Sequence, residues 1–134
     1  MGVLGRRMED SMREIKFRGI RAINGQMVIG WGCFTDESEN QYIIQDYSDD
    51  FIDIKKGSLM QFTGLKDKNG VDVYEGDILK ANHTTVPVIW AGWCWDAANE
   101  DDNEDYIVIT DPTSFEVIGN IYENPELLER QVNK

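Results

Sequence analysis

The sequence predicts a mainly β fold, and two punctuation marks in the middle of the chain carry that prediction. Apolar, β-favouring segments flank Asn69-Gly70, a pair that accepts the positive φ angles of a tight hairpin turn at little steric cost. A second reversal is written at Glu75-Gly76-Asp77, where glycine removes the Cβ penalty and the aspartate accepts backbone N–H bonds as the next strand starts. Around them, short alternating apolar runs are separated by Gly, Asn, Asp and Pro, the punctuation of strands and turns. At 134 residues the chain is large enough for one hydrophobic core without disulfide staples.

Taken in order, residues 1–11 show no sustained period and read as a flexible leader. Residues 15–23 alternate, with Lys16 and Arg18 on one face and a kink expected at Gly19. Asn24-Gly25 signals a hairpin, and residues 27–34 return as one strand carrying Val28, Ile29, Trp31 and Phe34. Residues 35–40 are a polar loop and 42–44 a short strand, while Lys55-Lys56-Gly57 marks an exposed turn. After the central reversals a strand begins at Ile78 and ends in Asn82-His83-Thr84-Thr85. Residues 86–90 follow as a strand that tolerates Pro87 only at an edge or a bulge. Residues 106–110 are strongly β-prone, Asp111-Pro112-Thr113-Ser114 is a turn, and 115–122 form the closing strand with a bulge or bend at Gly119. Asn124-Pro125-Glu126 reads as a helix start with asparagine as cap and proline at the first helical position. Leu127, Leu128 and Val132 are the residues with which a short helix would pack.

Four blocks carry a family resemblance: Met12-Arg13-Glu14-Ile15-Lys16-Phe17-Arg18, Phe62-Thr63-Gly64-Leu65-Lys66-Asp67-Lys68-Asn69-Gly70, Val73-Tyr74-Glu75-Gly76-Asp77-Ile78-Leu79 and Glu116-Val117-Ile118-Gly119-Asn120-Ile121-Tyr122-Glu123-Asn124-Pro125-Glu126-Leu127. In that order they resemble the YopX family of phage and prophage proteins, over residues 12–128. The resemblance implies a small SH3-like β-barrel with additional N-terminal strands and a short C-terminal helix. The domain layout expected is an N-terminal β region over 12–56 and the barrel over 57–134, with an acidic loop at 96–105. It implies no established activity and no catalytic residue to carry over. The leader and the acidic insert after Trp95 depart from the family pattern.

Net charge is −12, and its distribution bounds the partners. From Lys68 to the end there are four Lys or Arg against fourteen Asp or Glu, so nearly all the excess lies in that half. Duplex binding depends on neutralising phosphates with cations, and this balance argues against general nucleic-acid binding. Arg13, Lys16, Arg18 and Arg21 are the main basic cluster, read either as a phosphate-binding edge or as a strip that pairs with the protein's own carboxylates. Cys33 and Cys94 are far apart and form no Cys-x-x-Cys pair, and His83 is the only histidine, so no zinc site is expected. A cytoplasmic protein with reduced thiols is the expectation, a Cys33–Cys94 disulfide being the other reading. Asp46, Asp49, Asp50 and Asp53 lack the spacing of a calcium loop, so no metal is assigned there. No apolar run approaches the length that spans a bilayer.

The most distinctive chemistry is Trp90, Trp93 and Trp95, three indoles in six residues, followed by six carboxylates in residues 96–105. Trp93 and Trp95 share one face of an extended strand, while Trp90 lies beyond the Gly92 bend. Such a cluster serves either as core filler and subunit contact or as a ligand platform. The candidate interaction surface is therefore Trp90, Trp93 and Trp95 with Asp101, Asp102, Glu104 and Asp105 of the acidic loop. An aromatic patch rimmed by acids suits a basic peptide or protein and rejects phosphates. There is no nucleophile motif, no phosphate-binding glycine loop and no His/carboxylate constellation, and Asp77, beside Glu75, is better explained by its turn than by acid–base work. The expectation is a non-catalytic phage accessory protein without a cofactor, binding itself or a host or phage protein and possessing no membrane anchor. Two alternatives stay open: a nucleic-acid module using the basic strand and the tryptophans, and an acidic mimic of DNA.

Overall fold

Eleven short strands and one short α-helix, besides one 3-10 turn (Pro112–Ser114), are present in a computed structural model that describes residues 14–45, 51–92, 94–98 and 105–129. They are β1 (Phe17–Ile20), β2 (Met27–Gly30), β3 (Gly32–Thr35), β4 (Gln41–Ile44), β5 (Phe51–Ile54), β6 (Met60–Lys66), β7 (Asp72–Tyr74), β8 (Asp77–Ala81), β9 (Thr84–Trp90), β10 (Trp95–Ala97), β11 (Glu116–Asn120) and α1 (Glu126–Glu129). Three antiparallel sheets result, ordered β2-β1-β6-β7, β10-β9-β8-β11 and β3-β4-β5. The fold is mainly β, and no closed barrel is formed among the described residues. No helix among them is long and apolar enough to cross a membrane. The leader, Arg13, Asp46, Asp49, Asp50 and Val132 lie outside the described residues.

The central hairpin joins β6 to β7, but only Gly70 takes a positive φ, 81°, and Asn69 does not. The Gly70 N–H donates to the Asp67 carbonyl at 3.0 Å and the Asp67 N–H to the Val71 carbonyl at 2.9 Å, closing a three-residue loop with glycine at its left-handed position. The Asp67 carboxylate accepts from the N–H groups of Asn69 at 2.8 Å and Val71 at 2.9 Å, and from Val117 of β11 at 2.9 Å. One side chain thus shapes the turn and fastens it to another sheet. Burial pushes this carboxyl up, but the three N–H donors and the nearby Lys68 hold it below its usual range. Because the folded value is depressed, its contribution is present above the ordinary carboxylate range and lost as pH falls through the depressed value. Asp67→Ala is expected to cost about 3 kcal/mol near neutral pH. Urea melts of wild type and variant should converge in acid; a gap that ignores pH would contradict the assignment.

Glu75-Gly76 is the second reversal, with Gly76 at φ 86°, and it makes no hairpin: β7 and β8 belong to different sheets. The Gly76 N–H donates to Val88 of β9 and its carbonyl accepts from Ile121, so the crossing point is stitched from both sides. Asp77 accepts the Tyr74 N–H at 2.7 Å, as its place in the turn suggested. Its other oxygen pairs with Arg18, whose guanidinium lies 4.4 Å above the centroid of the Tyr74 ring and whose Nε–H donates to the Met60 sulfur at 3.4 Å. Lys16 pairs with Asp72 at 2.6 Å. Two members of the basic strip are therefore spent on the protein's own acids.

Several elements differ from the local expectation. Gly19 is no kink: β1 runs straight through it, paired with Val28, and a Cβ there would stand 2.7 Å from Ile54 Cδ1. Residues 27–34 split at Trp31, because β2 pairs with β1 while β3 pairs with β4 in another sheet. Pro87 lies in β9, an interior strand between β8 and β10. Its carbonyl accepts from the Ala98 N–H, beyond the end of β10, and in an antiparallel strand the nitrogen faces the same way. The absent N–H is thus aimed where the ladder stops. Residues 106–110 alternate, with Ile107 and Ile109 buried and Tyr106 and Val108 exposed, yet make only the Ala98–Tyr106 bridge and no strand. Asn124 does not cap α1 with its side chain: its Oδ1 accepts from the Asn120 N–H behind it. The bulge expected near Gly119 is present, as a register shift between Val117 and Gly119 against β8.

The main core is Val73, Leu79, Val86, Val88, Ala97, Ile107, Ile109 and Phe115. Met60, Phe62 and Tyr74 form a second cluster, and Ile20, Ile43 and Ile54 are buried where the N-terminal sheets meet. Cys33 and Cys94 are free thiols, with Cys33 pushed up by burial.

Candidate functional site

Hairpin register decides which tryptophans meet. β9 and β10 pair Val88 with Ala97, Ile89 with Asp96 and Trp90 with Trp95. The turn between them is closed by the Ala91 N–H donating to the Cys94 carbonyl at 2.8 Å, with Gly92 at φ 97°, a conformation that favours glycine. Trp90 and Trp95 therefore stand opposite one another, ring centroids 4.9 Å apart and planes at 65°, an edge-to-face pair. The strand pattern had put Trp95 with Trp93, which lies outside the described residues. Trp95 is half-buried against the main core, whereas Trp90 is 51% exposed. One indole is anchored and holds the other in place.

The pair opens on a groove of about 650 Å³. Its apolar walls are Trp90, Trp95, Phe62 and Ile15; Gln61, Thr63 and Gly64 line the β6 side, and Glu14 and Glu75 contribute carboxylates. A defect in β6 shapes this wall. β1 pairs with β6 only at Met60 and Gln61, and the pairing with β7 shifts register between Phe62 and Leu65. Thr63 and Gly64 are left opposite no strand residue. The Thr63 hydroxyl replaces part of the ladder, donating to the Val73 carbonyl at 2.7 Å and accepting the Leu65 N–H at 3.1 Å. Gly64 has φ 89°, and a Cβ there would meet open space, so bare backbone borders the groove.

Glu75 and Asp77, neighbours in the turn, are sent to opposite environments. Asp77 is 1% exposed and faces Arg18, and burial pushes its carboxyl above the usual range while Arg18 pulls it down. Glu75 lines the groove, with its N–H donating to the Gln61 carbonyl at 2.9 Å. The chemistry this lining offers is stacking on indole, apolar contact and acceptance of hydrogen bonds from a cation. Among the described residues no group of three His, Cys, Asp or Glu could hold a metal ion.

Of the surface expected from the sequence, the structure brings together Trp90 and Trp95. Asp105 is half-buried beside the Ala98–Tyr106 bridge, and Asp101, Asp102 and Glu104 lie outside the described residues. Phe62, Ile15, Glu14 and Glu75 were missed as lining residues. Their sequence signal is ordinary strand alternation and turn chemistry, and only the packing of two sheets collects them at one groove.

Comparison with known proteins adds a family and a fold. A family model described as YopX protein matches residues 14–129. No curated protein matches the chain. Among solved structures, the crystal structure of protein EF1440 from Enterococcus faecalis is similar at a TM-score of 0.55 and 26% identity, covering 87% of this chain and 99% of that one.

Proposed function

The chain belongs to the YopX family, and on that premise we propose that it is a non-catalytic phage or prophage accessory protein, working in the host cytoplasm, whose tryptophan groove docks a basic segment of a protein partner. The observation that carries this reading is the Trp90–Trp95 pair fixed edge to face at the mouth of an open groove bearing Glu14 and Glu75. A rigid aromatic corner beside carboxylates favours a Lys or Arg side chain, by cation–π attraction and by charge, and the net charge of −12 raises the local concentration of such a partner. The proposal keeps the SH3-like scaffold for residues 57–134. It is supported by the succession of β6 with β7, and of β8 with β9 and β10, as antiparallel neighbours on either side of the Glu75-Gly76 crossing. Two of the four cations that the nucleic-acid alternative would use are engaged within the chain, Lys16 with Asp72 and Arg18 with Asp77.

Tryptophan fluorescence of the full chain titrated with an arginine- and proline-rich decapeptide, its glutamate counterpart and a single-stranded oligonucleotide tests the reading. Only the arginine peptide is expected to shift the emission. Trp90→Ala should abolish that shift while costing only about 1–2 kcal/mol of stability, the loss of the edge contact with Trp95 and of a half-buried ring. Oligonucleotide binding that weakens steeply with salt and vanishes in Trp90→Ala would replace the reading with its nucleic-acid alternative.

A further inference from the structure

The chain enters its folded part at the tryptophan groove. Ahead of β1 the Lys16 carbonyl accepts the Phe62 N–H at 3.0 Å, so the residues before the strand keep running along β6 past the last paired position, Phe17 with Gln61. That course brings Ile15 and Glu14 to Thr63 and Gly64, and all four line the groove. Whatever precedes Glu14 therefore starts from a groove wall. The thirteen residues before it carry Arg6, Arg7 and Arg13 against Glu9 and Asp10, in a chain whose net charge is −12. Arg6-Arg7 is the chain's one pair of adjacent arginines, and Val3, Leu4 and Met8 flank it. From Arg7 to Glu14 an extended chain reaches about 20 Å, ample to turn the pair back onto the groove.

We propose that residues 3–8 are the groove's own occupant, a tethered stand-in that a protein partner must displace; the inference rests on reading the groove as a site for a basic segment. The Arg6-Arg7 pair takes the place of the partner's cations, against the exposed face of Trp90 and the Glu14 and Glu75 carboxylates, and its apolar neighbours cover Ile15 and Phe62. Charge and tethering together select this segment. The other basic stretch, β1, already gives Lys16 to Asp72 and Arg18 to Asp77. A second copy would have to approach against the repulsion of two acidic chains, whereas a short tether holds the leader at an effective concentration of about 1 mM. Even an intrinsic affinity of only about 0.1 mM then keeps the groove filled about nine-tenths of the time, and the apparent affinity for a partner falls about tenfold.

The test compares the full chain with its Arg6→Gln, Arg7→Gln double variant, reading the anisotropy of the labelled arginine- and proline-rich decapeptide. The variant is expected to bind it about tenfold more tightly than wild type. A synthetic peptide of residues 1–13 should compete with the decapeptide for the variant. Acrylamide should quench the variant's fluorescence more than that of wild type, and Trp90→Ala should remove this difference, since Trp90 is the indole the leader shields. Decapeptide binding of equal strength in wild type and double variant, or a 1–13 peptide that does not compete, would overturn the inference and leave the groove's preference for basic segments standing. A decapeptide that binds neither protein would overturn both.

Discussion

Arg18→Ala should destabilise the protein by about 3–5 kcal/mol, the cost of breaking a buried ion pair by removing one partner. The side chains of Arg18 and Asp77 are 11% and 2% exposed. The arginine is the cation that offsets a carboxylate otherwise surrounded by core, and it also covers the Tyr74 ring and donates to Met60. Without it Asp77 keeps the Tyr74 N–H but no counter-charge. The consequence with pH has a definite sign. Burial already raises the Asp77 carboxyl and Arg18 lowers it, so its loss raises the folded value further above the unfolded one. The variant therefore gains stability as the carboxyl protonates. Its deficit should be largest above the raised folded value and shrink as pH falls from that value towards the ordinary carboxylate range. Urea unfolding of both proteins at neutral and acid pH checks this; a deficit under about 1 kcal/mol at neutral pH would mean the pair is solvated. Replacing Arg18 by Met and Asp77 by Leu together should restore only part of the loss, since an apolar pair leaves no charge behind but deprives the Tyr74 N–H of its acceptor.

Gly30→Ala is expected to cost about 3 kcal/mol or more, from overpacking alone. Gly30 closes β2 where the sheet containing β1 passes over β4. A Cβ at this position would collide with the Ile44 carbonyl oxygen and stand 2.5 Å from Ile43 Cγ2. A backbone oxygen cannot rotate away as a side chain does, and Ile43 is itself fully buried. Gly30 is not among the glycines with positive φ, so the demand is for space and not for conformation. Gly64→Ala makes the matching control, with positive φ but open surroundings, and should cost only about 1 kcal/mol. Equal losses for the two variants would show that the β2–β4 approach is looser than described.

Both predictions concern residues whose importance the sequence does not announce. Arg18 reads as part of a basic strip, and only the tertiary fold makes it the partner of Asp77, fifty-nine positions away. Gly30 sits unmarked inside a run that reads as one strand. By contrast, the turn glycines were legible: Gly25, Gly57, Gly70, Gly76 and Gly92 all take positive φ. The register shift before Gly119 and the Asp111-Pro112 turn, where the Asp111 carboxylate accepts the Thr113 N–H at 3.1 Å, were legible for the same reason. Residues 106–110 mark the limit. Their alternation correctly indicates which side chains are buried, but contact with the end of β10 is limited to the Ala98–Tyr106 bridge and the Ile107 N–H donating to the Ala97 carbonyl, so no strand results.

What the chain dictated by itself was its mainly β character, the places where it reverses and the tryptophan-rich stretch that borders the groove, because φ preference and side-chain alternation act over a few residues and need no partner. The tertiary structure alone decided which strands pair, that Trp90 faces Trp95, that Lys16 and Arg18 of the basic strip are engaged with Asp72 and Asp77, and which glycines are needed for close approach. Those outcomes depend on groups brought together from distant positions, where register, space and charge are set jointly by both sides of a contact.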